Sequence, residues 1–249
     1  MRESDGVPPP SPPVESPPEA LRRRLAARRL LRAETFYAAG LAAYSVLAFF
    51  AYRYAYFAWD HRMARAVQLW GDWAPAWFAF MEWVSWFGNS WTPHALTAAT
   101  MLLFFARRRF SEGAAVVLSA AGGAVVNKLF KILVNRPRPA ADLVGFAYEG
   151  TGESFPSGHV TFYVGYFGFL FFVAFALLPR DSWRRRAALL LTALPVLLVG
   201  LSRVTLRAHW PSDVAGAYLL SGIWLAFSLE MYRRWKQRAT IKKAVSREP

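Results

Sequence analysis

Six apolar stretches dominate this chain and leave it few architectures. They run over about residues 36–59, 92–106, 113–134, 160–178, 187–201 and 214–232. A helix of about 20 apolar residues crosses the ~30 Å hydrocarbon core of a bilayer. Backbone inside hydrocarbon must satisfy its own hydrogen bonds, so runs of this length fold as helices. The expected fold class is all-α, a six-span transmembrane helical bundle. The second run is short for a crossing. Composition agrees: 55% of residues are hydrophobic, 16% aromatic and 18% charged, against about 25% charged in a typical soluble domain.

The flanks differ from the runs. Residues 1–19 are rich in proline, serine and glutamate without apolar periodicity, and are expected to be disordered. They lack a basic region followed at once by an apolar one, so they do not read as a secretory signal. Residues 20–35 carry six arginines among Ala and Leu and read as a basic helix on a membrane surface. The membrane domain is placed at 36–232, and a basic tail at 233–249. The far end of the first run, with Tyr52, Tyr54, Tyr56 and Trp59, reads as an aromatic belt, with Arg53 snorkelling beside it. Residues 60–91 interleave six tryptophans with Asp60, His61, Asp72, Glu82 and Asn89. They predict one or two amphipathic helices lying in the interface between spans 1 and 2, broken near Gly71–Pro75 and ended at Gly88. His61 and His94 read as interfacial polar residues. Ala120, Ala121, Gly122 and Gly123 in the third run allow close helix approach.

The net charge is +14. Such a charge suits nucleic acid, but the Arg and Lys lie mostly between apolar runs, so no nucleic-acid partner is expected. Six spans place both termini on one side. The terminal segments and the loops on that side hold twenty Lys and Arg, leaving out Arg2, against nine on the other. The positive-inside rule makes the twenty cytoplasmic. The expected location is the cell (inner) membrane, multi-pass, with both termini cytoplasmic. There is no cysteine, which excludes disulfides and thiolate metal sites.

Three polar stretches then fall on the outer face: NRPRP, FPSGH and Ser202–Asp213 (SRVTLRAHWPSD). The last gathers a hydroxyl, two guanidiniums, an imidazole and a carboxylate. Read alone, it could be a plain polar loop at headgroup level. It could also be a metal pair, but Pro211 breaks the helix that pair would need. The side chains of His209 and Asp213 then sit across a helix start. Convergence of three such stretches favours a site. Lys131, Arg138 and Arg203, with the Ser157 hydroxyl and backbone donors at a helix start beside Gly158, suit a phosphate. His159 and His209 can divide phosphoryl transfer, one attacking phosphorus and one protonating the leaving oxygen. His209 is the better nucleophile candidate, because Asp213 can fix its tautomer. No Asp/Glu/His cluster suggests a divalent metal, and no cofactor is expected.

These stretches resemble the signature of the type 2 phosphatidic acid phosphatase superfamily, K-x6-RP, PSGH and SR-x5-H-x3-D. Here they are Lys131-ILVNRP-Arg138-Pro139, Pro156-Ser157-Gly158-His159 and Ser202-Arg203-VTLRA-His209-WPS-Asp213. The resemblance covers about residues 60–232. It implies a membrane phosphatase acting on a lipid phosphate or pyrophosphate without metal, through a phosphohistidine. His209 would be the nucleophile, Asp213 its orienting carboxylate and His159 the general acid. Lys131, Arg138, Arg203, Ser157 and the Gly158 amide would hold the phosphate. Lys128 and Arg136 match no signature position and read as electrostatic support or lipid-headgroup contacts, and Arg207 is similar. A phosphotransferase would use the same residues. A transporter or lipid-binding protein would more naturally carry its polar groups at mid-membrane depth.

Overall fold

The apolar runs become helices in the computed structural model, which describes residues 17–73, 75–140, 143 and 152–245. Among the described residues there are eight: α1 (Pro17–Arg53), α2 (Ala58–Trp73), α3 (Pro75–Ser85), α4 (Thr92–Ala106), α5 (Phe110–Val134), α6 (Gly158–Leu177), α7 (Trp183–Thr205) and α8 (Pro211–Val245). A 3₁₀ turn, Trp86–Gly88, follows α3. No strand occurs among the described residues. Met1–Ala39 and Gly40–Pro249 form separate units.

Five helices are long and apolar enough to cross a membrane: Glu34–Arg53 within α1, then α5, α6, α7, and Pro211–Thr240 within α8. The sixth run, α4, has 15 residues, about 22 Å at 1.5 Å per residue, short of a ~30 Å core. The chain is thus a multi-pass membrane protein with five full-length spans and one shorter apolar helix. The break between α2 and α3 and the end at Gly88 fall where the sequence places them.

Two boundaries differ from expectation. The basic segment and the first span are one helix, because Ala, Leu and Arg run from Ala20 to Ala33 and no Gly or Pro follows before Ala39. That helix stops at Arg53 rather than Trp59. Asp60 turns its carboxylate back to accept the Phe57 N–H at 3.1 Å, and this capping begins α2 at Ala58. Residues 1–16 of the proline-rich head, and 246–249 of the basic tail, lie outside the described residues. Residues 233–245 continue α8.

Helix α6 is the centre of the bundle. Half of its apolar window is buried, against a third or less for every other span. It packs on α7 and α8 and crosses a π-helical turn of α5, Leu118–Gly122. Without hydrophobic drive inside a bilayer, such crossings depend on small residues and hydrogen bonds. At Gly165 any Cβ would stand 2.6 Å from the Ser119 carbonyl oxygen, and the Ser119 hydroxyl donates to the Gly165 carbonyl at 2.7 Å. The π turn alters the carbonyl ladder, and the Trp224 indole N–H of α8 donates to the Leu118 carbonyl at 3.0 Å. Small residues of 120–123 serve the close approach expected of them: a Cβ on Gly122 would stand 2.8 Å from the Trp224 ring, and one on Gly165 would stand 3.4 Å from Ala120 Cα. At the other end of α5, buried Glu112 pairs with Lys236 at 2.6 Å and accepts from the Tyr232 hydroxyl at 3.3 Å. This pins α8 to α5.

Candidate active site

The end of α7 and the start of α8 shape the stretch that carries His209. Arg207 takes a left-handed backbone conformation (φ 58°). The amides of Ala208 and His209 then turn back to the Arg203 carbonyl, at 3.1 and 3.3 Å, satisfying the end of the helix. Pro211 opens α8, where a missing N–H costs nothing. Asp213 lies in the first turn and accepts the Trp210 N–H at 2.8 Å. His209 and Asp213 thus face each other across a helix start rather than along one helix.

His209 is 3% exposed. Its Nδ1 lies 3.6 Å from Asp213 Oδ2 and 3.4 Å from Ser154 Oγ. The first distance is longer than a hydrogen bond, and catalytic contacts of this kind commonly tighten around substrate. The Ser154 hydroxyl also donates to Asp213 Oδ2. Burial lowers the His209 pKa to about 3, Arg138 and Arg203 push it the same way, and Asp213 opposes them. The imidazole is therefore neutral near pH 7, with a lone pair available.

Behind Asp213 lies a buried ionic network. Arg136, 1% exposed, donates to Asp213 Oδ1 at 2.6 Å, to Ser212 Oγ at 2.7 Å and to Asp60 Oδ2 at 3.0 Å. Its Nε donates to the Tyr54 carbonyl at 3.2 Å, and the guanidinium lies 4.8 Å from the Phe57 ring centroid. Asp60 accepts from the Ser212 N–H at 2.8 Å and from its hydroxyl at 2.6 Å. Every polar atom of this set has a partner, which a buried charge requires.

The other candidate residues gather at the same end of the bundle. Lys131, in the last turn of α5, donates to the Glu153 carbonyl. Arg138 donates to the Ala208 carbonyl at 2.9 Å and to that of Gly152 at 3.2 Å. Arg203 donates to the Ser85 hydroxyl. Lys131, Arg138, Arg203 and His209 all lie within electrostatic range of His159. Helix α6 begins at Gly158, and the N–H groups of its first turn have no acceptor within the helix. The buried Ser157 Oγ has no hydrogen-bond partner, while its amide donates to the Asp213 carbonyl at 3.3 Å. Asn127 holds this corner by donating to the Pro156 carbonyl at 3.2 Å and to Thr161 Oγ1 at 2.9 Å. His159 Nε2 meets Asn89 Oδ1 at 2.7 Å.

All eight residues singled out from the sequence thus come to one end of the bundle. Lys128 stays at the surface, 3.5 Å from Glu153. Of the two readings for Arg136, electrostatic support is the one the geometry favours, since it stands buried behind Asp213 and pairs with it at 2.6 Å. Asp60, Ser154, Asn89 and Ser85 escaped sequence reasoning. Asp60 and Asn89 stand in the tryptophan-rich segment, where nothing separates them from other interfacial polar residues. Ser154 precedes FPSGH without belonging to a motif. Among the described residues no group of three His, Asp or Glu side chains is placed to hold a metal ion.

The chain matches the family model of the PAP2 superfamily over residues 112–237. No curated protein matches it. Its fold is similar to that of a solved structure from Bacillus subtilis, described as a transmembrane PAP2 type phosphatidylglycerolphosphate phosphatase. The TM-score is 0.66 at 24% identity, covering 80% of this chain and 97% of that one. It is also similar to LpxE of Aquifex aeolicus, with a TM-score of 0.51 at 22% identity, covering 70% and 96%. At these identities the likeness is one of fold.

Proposed function

Because the chain belongs to the PAP2 superfamily, we propose that it is a membrane phosphatase that hydrolyses a lipid phosphate or pyrophosphate through a phosphohistidine at His209. The observation that carries this reading is a neutral, buried imidazole backed by Asp213, at the end of the bundle where Lys131, Arg138, Arg203 and the start of α6 gather.

The steps follow from that geometry. Lys131, Arg138 and Arg203 hold the phosphate oxygens, with the Ser157 hydroxyl and the first-turn amides of α6. These groups stabilise the charge that builds on the equatorial oxygens. His209 attacks phosphorus with its free ring nitrogen, and Asp213 stabilises the resulting phospho-imidazolium. The P–O bond to the leaving group breaks, and His159, held as an imidazolium by the negative charge of the bound phosphate, gives its proton to the departing oxygen. His159 then takes a proton from water. The hydroxide displaces the phosphoryl group, releasing phosphate and restoring neutral His209.

A lipid substrate is supported by an apolar cavity of about 660 Å³ beside the site. Gly88, Gly158 and Lys128 line it next to His159, and Met101, Val117 and Ala121 line it farther along α4 and α5. A hydrocarbon chain fits such a surface at membrane depth. The charge asymmetry of the loops supports cytoplasmic termini and a site on the outer face.

Gly88 backs the His159 ring: a methyl group there would stand 2.4 Å from His159 Cδ2. Gly88→Ala is expected to push the ring off Asn89 and lower kcat by about 100-fold, since a misplacement near 1 Å costs that much. Steady-state kinetics beside the parent would check it, and a parent-like kcat would place His159 outside the chemistry.

The function is tested by phosphate release from purified protein in detergent with EDTA present. The panel holds phosphatidylglycerophosphate, the phosphate ester named for the Bacillus subtilis neighbour, with phosphatidic acid, an isoprenyl pyrophosphate and a lipid A phosphate. Release from at least one of them is expected to survive EDTA. Release that EDTA abolishes, or none without an added acceptor alcohol, would overturn the proposal.

A further inference from the structure

Asp213 does not face His209 alone. Its other oxygen is held by Arg136 at 2.6 Å, deep in the protein. A buried arginine at that distance cancels much of an aspartate's charge. An Asp213–Arg136 pair has no net charge and offers little to a positive imidazole. The third member restores the balance. Asp60 Oδ2 lies 3.0 Å from Arg136 Nη2, and both side chains are fully buried. Asp60, Arg136 and Asp213 together carry one negative charge. Bonding of His209 to phosphorus puts one positive charge on its ring, so the buried set becomes neutral when the intermediate forms. Asp60 also holds both polar groups of Ser212, the residue next to Asp213.

We infer that Asp60, acting through Arg136, is a positioning and charge-balancing residue for the His209 site. The inference rests on His209 being the nucleophile. Asp60 belongs to α2, outside the residues 112–237 matched to the family, so the interfacial helix completes a site whose other charged members lie on α5–α8 and their connecting segments. Arg136 sits between two carboxylates because one alone would leave Asp213 neutralised.

The test uses the full-length chain in detergent. Asp60→Asn keeps the shape and removes the charge. It is expected to lower kcat by about 10- to 100-fold, the usual effect of losing a partner one shell out from the reacting group, with KM within about twofold of the parent. Adding Arg136→Gln removes the opposing charge and returns the net charge to that of Asp213. The double variant is therefore expected to be faster than either single variant, a coupling that independent sites do not show. A purely structural role predicts losses that add and no recovery. An Asp60→Asn kcat equal to the parent's, or a double variant no faster than the faster single, overturns the inference. If Asp60→Asn does not insert, the double variant is compared with Arg136→Gln alone, and a double variant no faster than that single overturns it equally. Parent and His209→Ala run alongside. An inactive parent or an active His209→Ala refutes the phosphatase reading itself, whereas an active parent with a parent-like Asp60→Asn refutes only this inference.

Discussion

His209→Ala is expected to abolish phosphate release, with a loss of about 10⁴-fold or more, because no other group can form the covalent intermediate. The variant should still fold. His209 is buried, but its imidazole faces the Asp213 carboxylate and the Ser154 hydroxyl, and a polar hole of that kind can take water. Its removal also leaves the α5–α6–α8 crossings untouched. Yield, helix content by circular dichroism and the melting temperature in detergent should stay near the parent's. Near-normal turnover in the folded variant would refute the nucleophile assignment.

Asp213→Asn is expected to lower kcat by about 10³- to 10⁴-fold while leaving KM close to the parent's, the pattern of lost tautomer control in a histidine–carboxylate pair. Two effects add here. An asparagine can present an amide N–H to His209 Nδ1 and favour the wrong tautomer. It also removes one of the two carboxylates on Arg136, which leaves Arg136 and Asp60 as a pair without net charge and His209 without a counter-charge. The fold should survive, because Asp60, Ser212 and the Tyr54 carbonyl still hold the guanidinium. Kinetics on the preferred substrate, with a melting curve beside them, check this. A kcat equal to the parent's would show that Asp213 does not orient the nucleophile.

Much of the fold was legible because hydrophobic runs punctuated by arginine clusters have few solutions in a bilayer. The candidate site was legible because its charged members stand at the ends of those runs. PSGH opens α6 and SR closes α7, so the spacing in sequence becomes proximity in space. Boundaries were less visible. Nothing in FAYRYAYFAW announces that the helix ends at Arg53, because the stop depends on Asp60 reaching back to Phe57. The pairing of Arg136 was hidden for a related reason. Its partners, Asp60 and Ser212, lie 76 residues away on either side, and local spacing carries no trace of a pairing over that distance. Asn89 behind His159 and Ser154 beside Asp213 are of the same kind.

The central claim is the covalent intermediate, and trapping it is the most direct measurement. Purified parent protein would be mixed with a ³²P-labelled preferred substrate, quenched within milliseconds and digested, and the labelled peptide mapped. The expected result is acid-labile, alkali-stable label, as befits a phosphoramidate, on the peptide that contains His209 and on no peptide from His209→Ala. Substrate turned over with no label retained, or label on His159 or on a serine, would contradict His209 as the nucleophile.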